Sequence, residues 1–347
     1  MNLKPGEDIV QRLIYLTTGP EKCDLPIELF GTLTPSEEKW RAMQPFLAAN
    51  GYTLRPRYQP GWVPSWIDRQ KLKYYESPED SYFLRNPSVM DATRFDKTQV
   101  FLKFVRWNSD SHEVRVIRRL NGAELRRDPR NHCIELLDIL YPDNFPEYCL
   151  LVMPMCTSSS YPKFRRVSET VEFFHQILEG VAFLHEQNMV HRDICMNNIV
   201  TDSKDLFPHG CHPQKNSLNA DCTWTSYPRK RSQAHIRYTF VDFGLSAWYE
   251  SEKERVPEVA PWGQDRSAPE LSRDVPYDGF KLDVYCMGNL MRHWVEQTWH
   301  NMEYLRPLVE MMTRRGPKDR LSAADALAIF GKIRSQLPST FLVKRIR

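Results

Sequence analysis

Two residues in HRDICMNNIV (191–200) carry the first chemical signal: Asp193, and Asn198 five positions after it. A second stretch, VDFG (241–244), sets Asp242 at the start of a glycine turn after a strand-like run. Phosphoryl transfer needs this set. One carboxylate orients the attacking hydroxyl, while an amide and a second carboxylate hold magnesium against the phosphates. A lone Asp in a loop is usually a solvated turn residue; HRDxxxxN followed by DFG is far more specific than either part alone.

The elements that must position these residues are legible in the hydrophobic period. VMDATRFDKTQVFLKFV (89–105) reads as two strands around a turn at Asp96 and Lys97. HEVRVIRRL (112–120) has Val116, Ile117 and Leu120 at helical spacing. HCIELLDIL (132–140) and YCLLVMPM (148–155) read as further strands. From 168 the period becomes helical. SETVEFFHQILEGVAFLHEQN carries Val171, Phe174, Ile177, Leu178, Val181 and Leu184 on one face, with Ser168 as its cap. FKLDVYCMGNLMRHWVEQTW (280–299) and SAADALAIFGKI (322–333) read as further helices.

With these elements in place, the sequence resembles the eukaryotic protein kinase family, and its PRYQPGWVPSW, HRDICMNN and PHGCHP segments resemble those of a group of fungal kinase-like proteins. HRD and DFG are joined by Ala268-Pro269-Glu270, by Asp283 and Gly288 in LDVYCMG, and by Arg320, which the resemblance pairs with Glu270. The resemblance covers roughly residues 90–335. It implies an α+β fold of two lobes, a small β-rich N-lobe and a larger helical C-lobe. It implies ATP and Mg²⁺ as cofactors and a protein substrate whose hydroxyl, Ser/Thr more than Tyr, receives the γ-phosphoryl group. Asp193, Asn198 and Arg192 take the catalytic positions, Arg192 also being placed to bind a phosphate on the activation segment. Lys103 in VFLKF takes the nucleotide-binding position, with Glu113 as its ion-pair partner ahead of Glu124. Met153 borders the adenine pocket, Pro154, Met155 and Cys156 form the hinge, and Asp242 and Asn198 hold the metal.

Three segments are expected around this frame. Residues 1–66 read as an N-terminal extension, residues 67–155 as the N-lobe, and residues 156–347 as the C-lobe with a polar insertion at about 201–238. The extension holds a helix in SEEKWRAMQPFLAANG, started by Ser36 and kinked or divided at Pro45, and then RPRYQPGWVPSW (55–66). With three Pro and two Trp in twelve residues, the latter cannot be helical and is expected to strap the N-lobe. In the insertion, His209, Cys211, His212 and Cys222 lack the paired spacing of a zinc site, and PRKRS (228–232) reads as a solvated loop.

Two positions depart from the family pattern. No glycine lies between Gly61 and Gly122, so the glycine-rich phosphate loop expected near FLRNPSVMDAT is missing. Without glycine, side chains keep the backbone amides away from the phosphates. Cys195 stands where serine/threonine kinases carry a Lys that neutralises the transferred group. One such cation contributes roughly 3–4 kcal/mol on the scale of an oxyanion donor. These departures leave a pseudokinase scaffold or switch as the alternative, opposed by the retained Asp193, Asn198, Asp242, Lys103 and Glu113. A small-molecule phosphotransferase is opposed by Arg192, the Ala-Pro-Glu motif and Arg320.

Composition limits the rest. A formal charge of +3 over 347 residues gives no electrostatic case for nucleic acid or membrane binding. No apolar run reaches the roughly 20 residues of a membrane span. Glu7 and Asp8 break the N-terminal stretch as a secretory signal. Eight cysteines without repeated spacing read as reduced intracellular thiols, cytoplasmic or nuclear. Oligomeric state leaves no trace in the sequence.

Overall fold

The computed structural model describes residues 31–66, 78–107, 111–202, 204–257, 259, 263–296 and 300–346. The reading of the first residues as lacking a secretory signal lies outside them. The chain forms two lobes, a five-stranded antiparallel sheet followed by a helical lobe, as the α+β reading expects.

The small-lobe sheet has the order β1-β2-β3-β5-β4. Its strands are β1 (Tyr52–Leu54), β2 (Val89–Arg94), β3 (Gln99–Arg106), β4 (Asp138–Leu140) and β5 (Tyr148–Pro154). Lys97, at φ 69°, turns β2 into β3. The register sets Lys103 between Val89 and Leu151. Side chains alternate across a strand. Val100, Leu102 and Phe104 therefore face outward, while Val105 joins the core shared with the large lobe.

The outward face is covered by α1 (Pro35–Ala49), whose Trp40, Met43 and Leu47 pack on Leu102, Phe104 and Met90. The cap lies two residues before the expected Ser36. Thr34 is the cap, Glu37 returns a bond to its N–H (2.8 Å), and Pro35 takes the first turn, where its missing N–H costs nothing. Pro45 lies inside the helix, which continues to Ala49.

The edge strand β1 corrects the expected boundary at residue 67: the small-lobe sheet already begins inside the expected 1–66 extension. Leu54 pairs with Ala92 and gives its N–H to Gln44 of α1 (2.9 Å). The following segment lies over the lobe as a strap. It includes a short 3₁₀ turn, Pro56–Tyr58, where no helix was expected. Arg57 is fully buried and donates to Glu37 (2.8 Å) and to the Asp80 carbonyl (3.1 Å). Asp80 gathers Trp62 (2.9 Å) and Ser65 (2.7 Å), and Trp66 is 1% exposed. Deleting residues 1–66 is therefore expected to bare Met90, Leu102, Phe104, Leu150 and Val152 and to cause aggregation on size-exclusion chromatography. A monodisperse truncated protein with full nucleotide binding would contradict this.

Met155 joins the small-lobe sheet to β6 (Cys156–Ser158), which pairs in the large lobe with β7 (Ile199–Asp202) and, through it, β8 (Tyr238–Phe240). The large lobe is built on α3 (Val167–Glu186), with α4 (Gly279–Glu296), α5 (Arg306–Met312) and α6 (Ala323–Gln336) around it; α2 (His112–Leu120) belongs to the small lobe. The start of α3 differs from expectation. Ser168 lies inside the first turn, and Glu169 takes the N–H groups of Arg165 (2.6 Å) and Arg166 (3.2 Å) instead. Ser322 does cap α6, through the N–H of Asp325. Of 132–140, only Asp138–Leu140 is a strand. His132 and Ile134 exchange backbone bonds with Phe240 of the large lobe, which draws this segment away from the sheet.

The insertion is mostly irregular but not simply solvated. Leu206, Phe207, Cys211, His212 and Arg231 are buried. Arg231 donates to the carbonyls of Pro162 (2.7 Å) and Ser159 (2.6 Å) and to Tyr238 (2.8 Å), which corrects the solvated reading of PRKRS at that residue. His212 reaches Glu79 (3.3 Å) and Gln214 reaches Asp91 on β2 (2.9 Å), so the insertion touches the small lobe. Cys211 instead takes a contact from Asn216 (3.7 Å), and no group of three metal-capable side chains forms among the described residues.

Candidate active site

Two groups of the expected residues come together: Lys103 with Glu113 and Asp242, and Asp193 with Asn198. Lys103 projects from the middle of β3, and Glu113 sits in the first turn of α2. Their ten-residue separation is bridged: Lys103 Nζ donates to Glu113 Oε1 at 2.5 Å and to Asp242 Oδ1 at 2.8 Å. Burial opposes the charge on Lys103, but Glu113 and Asp242 together hold its pKa above the ordinary lysine value. Asp242 is buried in part, yet Lys103 beside it keeps the carboxyl below its usual range. Burial pushes Glu113 up against the pull of Lys103. Asp242 is therefore the more firmly ionised acid, and its side chain is 49% exposed to the cleft.

Asp242 stands in the left-handed region (φ 65°, ψ 70°), and its side chain turns back to the N–H of Gly244. Arg192 has the same φ of 65°. Non-glycine residues occupy this region only when the surroundings hold them there. For Arg192 the holder is Asp283 of α4, fully buried. Its Oδ1 takes the Arg192 N–H (2.7 Å) and its Oδ2 the His191 N–H (2.8 Å). His185 adds a ring contact to the same carboxylate (3.1 Å). His191 is also buried, with Nε2 against the Val241 carbonyl (3.1 Å) and its ring against Phe243. The two loops carrying Asp193 and Asp242 are thus joined through His191 and anchored to α4. The Arg192 side chain donates to the Leu245 carbonyl, directly after the glycine turn.

Asn198 Nδ2 donates both to the Asp193 carbonyl (2.9 Å) and to Asp193 Oδ2 (2.8 Å). This commits the amide nitrogen inward and leaves Asn198 Oδ1 as the acceptor. This oxygen and the Asp242 carboxylate are hard donors of the kind that could hold magnesium together with phosphates. Met153, at the end of β5 opposite Phe101, and Met155 are both buried, and the Met155 N–H is taken by the Gln99 carbonyl (3.3 Å). Glu124 forms no part of the Lys103 cluster. Cys195 is a partly buried thiol, its pKa pushed up to about 11 by burial and then by Asp193, so it stays neutral.

Sequence reasoning missed Gly263 and Gln264, whose backbone closes on Asp193. The N–H of Gln264 donates to Asp193 Oδ1 at 2.6 Å. The only available signal was a lone glycine in the run leading to Ala268.

Comparison with known proteins agrees with this geometry. The protein kinase domain family matches residues 88–301, beginning at the residue before β2. The chain is 24% identical over 197 residues to the probable casein kinase II subunit alpha homolog of Encephalitozoon cuniculi, covering 56% of this chain and 49% of the relative. It is 26% identical over 115 residues to the serine/threonine-protein kinase ppk27 of Schizosaccharomyces pombe, covering 33% of this chain and 24% of the relative. It is 32% identical over 82 residues to the serine/threonine-protein kinase stk11 of Xenopus laevis, covering 22% of this chain and 19% of the relative. The chain thus spans about half the length of the first of these relatives and a quarter or less of the others. A match over more than half of the chain, on a fold of two lobes with these motifs in its cleft, establishes that the chain belongs to the protein kinase family.

Proposed function

We propose that the protein is an ATP- and magnesium-dependent protein kinase that transfers the γ-phosphoryl group to a serine or threonine hydroxyl of a protein substrate. The observation that carries this reading is Lys103 held between Glu113 and Asp242, together with the bonded pair Asp193 and Asn198. A scaffold needs a stable cleft, not a lysine ion-paired to a carboxylate on each of two separate elements. Lys103 binds the nucleotide phosphates, and Met153 and Met155 border the adenine. Asp193 orients the attacking hydroxyl and receives its proton. Asp242 and Asn198 Oδ1 would hold magnesium, which neutralises charge on the phosphates and draws them into line. Arg192, through Leu245, ties the catalytic loop to the segment after the glycine turn.

Described cysteines that are all free thiols support a reducing compartment, cytoplasmic or nuclear. No helix among the described residues is long and apolar enough to cross a membrane. One observation favours the pseudokinase reading. The stretch before β2, YFLRNPS, contains no glycine, and its Pro87 carbonyl is tied to Trp40 of α1 (3.0 Å). Such a cover loop cannot wrap phosphates by backbone amides as closely as glycine does.

Asp242→Ala tests the magnesium-nucleotide site on which the kinase reading depends. Calorimetric affinity for ATP is expected to fall sharply in magnesium and little without it. Equal affinities for wild type and variant, with and without metal, would remove Asp242 from the nucleotide site.

A further inference from the structure

The catalytic carboxylate has neighbours from a second chain segment. Asp193 Oδ2 takes the amide of Asn198 at 2.8 Å, and Oδ1 takes the backbone N–H of Gln264 at 2.6 Å. That approach depends on Gly263, where an added Cβ would lie 2.5 Å from Asp193 Oδ1 and 2.8 Å from the Arg192 carbonyl. The Gln264 side chain is fixed by its other end. Asn197 Nδ2 donates to Gln264 Oε1 at 2.7 Å. This makes Oε1 the acceptor and turns Nε2, the donor, toward Asp193 Oδ2 (3.4 Å) and Asn198 Oδ1 (3.5 Å). Both contacts are long, and the residue is exposed to the cleft. A donor is therefore held over the two catalytic oxygens with hydrogen-bonding capacity to spare.

The same loop has a missing part. Cys195 is a neutral thiol, and no cationic side chain among the described residues pairs with Asp193. We propose that the Gln264 side-chain amide donates to the phosphoryl group in transfer, supplying the stabilisation that a loop without a cation at position 195 lacks. This rests on the kinase reading. In the step itself, the substrate hydroxyl oxygen forms a bond to the γ-phosphorus as the bond to the β–γ bridging oxygen breaks. The hydroxyl proton passes to Asp193, ADP leaves with the electron pair of the broken bond, and no oxidant or reductant takes part. Negative charge on the equatorial oxygens meets Gln264 Nε2–H while Asn197 keeps the amide from turning. A preorganised neutral donor of this kind acts on the transition state more than on bound substrate.

The test is a double-mutant cycle with a binding readout. Gln264→Ala is expected to lower kcat about tenfold or more with KM for ATP unchanged. It should weaken binding of ADP with magnesium and aluminium fluoride, a mimic of the group in transfer, by a similar factor while leaving ADP affinity alone. Cys195→Lys should raise kcat about tenfold in the wild type and by a larger factor in the Gln264→Ala background, because the two donors serve one group. Gln264→Glu, close in shape but without the donor, should be as impaired as Gln264→Ala. A Gln264→Ala protein with wild-type kcat would overturn the proposal. So would a slow variant whose aluminium fluoride complex forms normally, since that pattern belongs to a residue that only anchors its segment. An active wild type with unaffected variants defeats this inference alone; a folded, nucleotide-binding wild type with no transfer defeats the kinase reading as well.

Discussion

Asp193→Asn is expected to slow phosphoryl transfer by about 10²- to 10⁴-fold, the range that one positioned general base supplies. Asp193 sits in a cage built for a carboxylate: Asn198 Nδ2 and the Gln264 N–H each address one of its oxygens. An amide keeps one acceptor but turns a nitrogen toward a donor and cannot take the hydroxyl proton. Nucleotide affinity should be retained, because Lys103, Glu113 and Asp242 are untouched. The melting temperature should fall only slightly, since Asn198 still holds the backbone carbonyl of residue 193. Initial rates beside calorimetric ATP binding and a thermal melt check all three expectations. A variant that transfers phosphate at the wild-type rate would remove Asp193 from the chemistry.

Glu270→Ala is expected to destabilise the large lobe by about 3–5 kcal/mol, as loss of one partner of a buried ion pair does. Arg320 is fully buried at its side chain and Glu270 only 9% exposed. Arg320 Nη2 donates to Glu270 Oε2 at 2.7 Å, and Nη1 makes a second bond to Oε1. Without Glu270, the guanidinium keeps only the carbonyls of Arg314 (2.7 Å), Lys281 (3.0 Å) and Arg315 (3.4 Å) and the Tyr285 ring, none of which carries its counter-charge. The melting temperature should drop by several degrees with or without nucleotide. Glu270→Gln, which can keep one acceptor, should lose less. An unchanged melting curve would mean that the pair contributes nothing net.

The motif-bearing loops and strands were legible because each is local or fixed by spacing. Asp193 and Asn198 lie in one loop, Asp242 follows directly on a strand, and the 89–105 hairpin has its turn in its own sequence. The Lys103–Glu113 pair was expected from the family resemblance, although the ten residues between them are fewer than the family usually has, and the two side chains do meet. What escaped depends on partners far along the chain. Strand β1 is three residues long and exists through its register with β2, which begins 35 residues after β1 ends. No local pattern marks so short an edge strand, and the boundary at 67 missed it for that reason. Ser36 and Ser168 are good caps by type, but Thr34 before a proline, and Glu169 reaching back to two N–H groups, compete better at those starts. The 132–140 run has strand-like side chains, yet its backbone bonds go to Phe240. Gln264 escaped because its role depends on Gly263 reaching Asp193, about 70 residues away in sequence.

The most direct measurement is transfer of labelled γ-phosphate from ATP to a protein substrate in magnesium, followed by mass spectrometry of the modified residue. The purified wild type should place label on serine or threonine, slowly because of Cys195 and the glycine-free stretch before β2, and Asp193→Asn should slow it by about 10²- to 10⁴-fold. A folded wild type that binds ATP with magnesium but transfers no phosphate, with Cys195→Lys restoring none, would contradict the account and leave the fold as a nucleotide-binding scaffold.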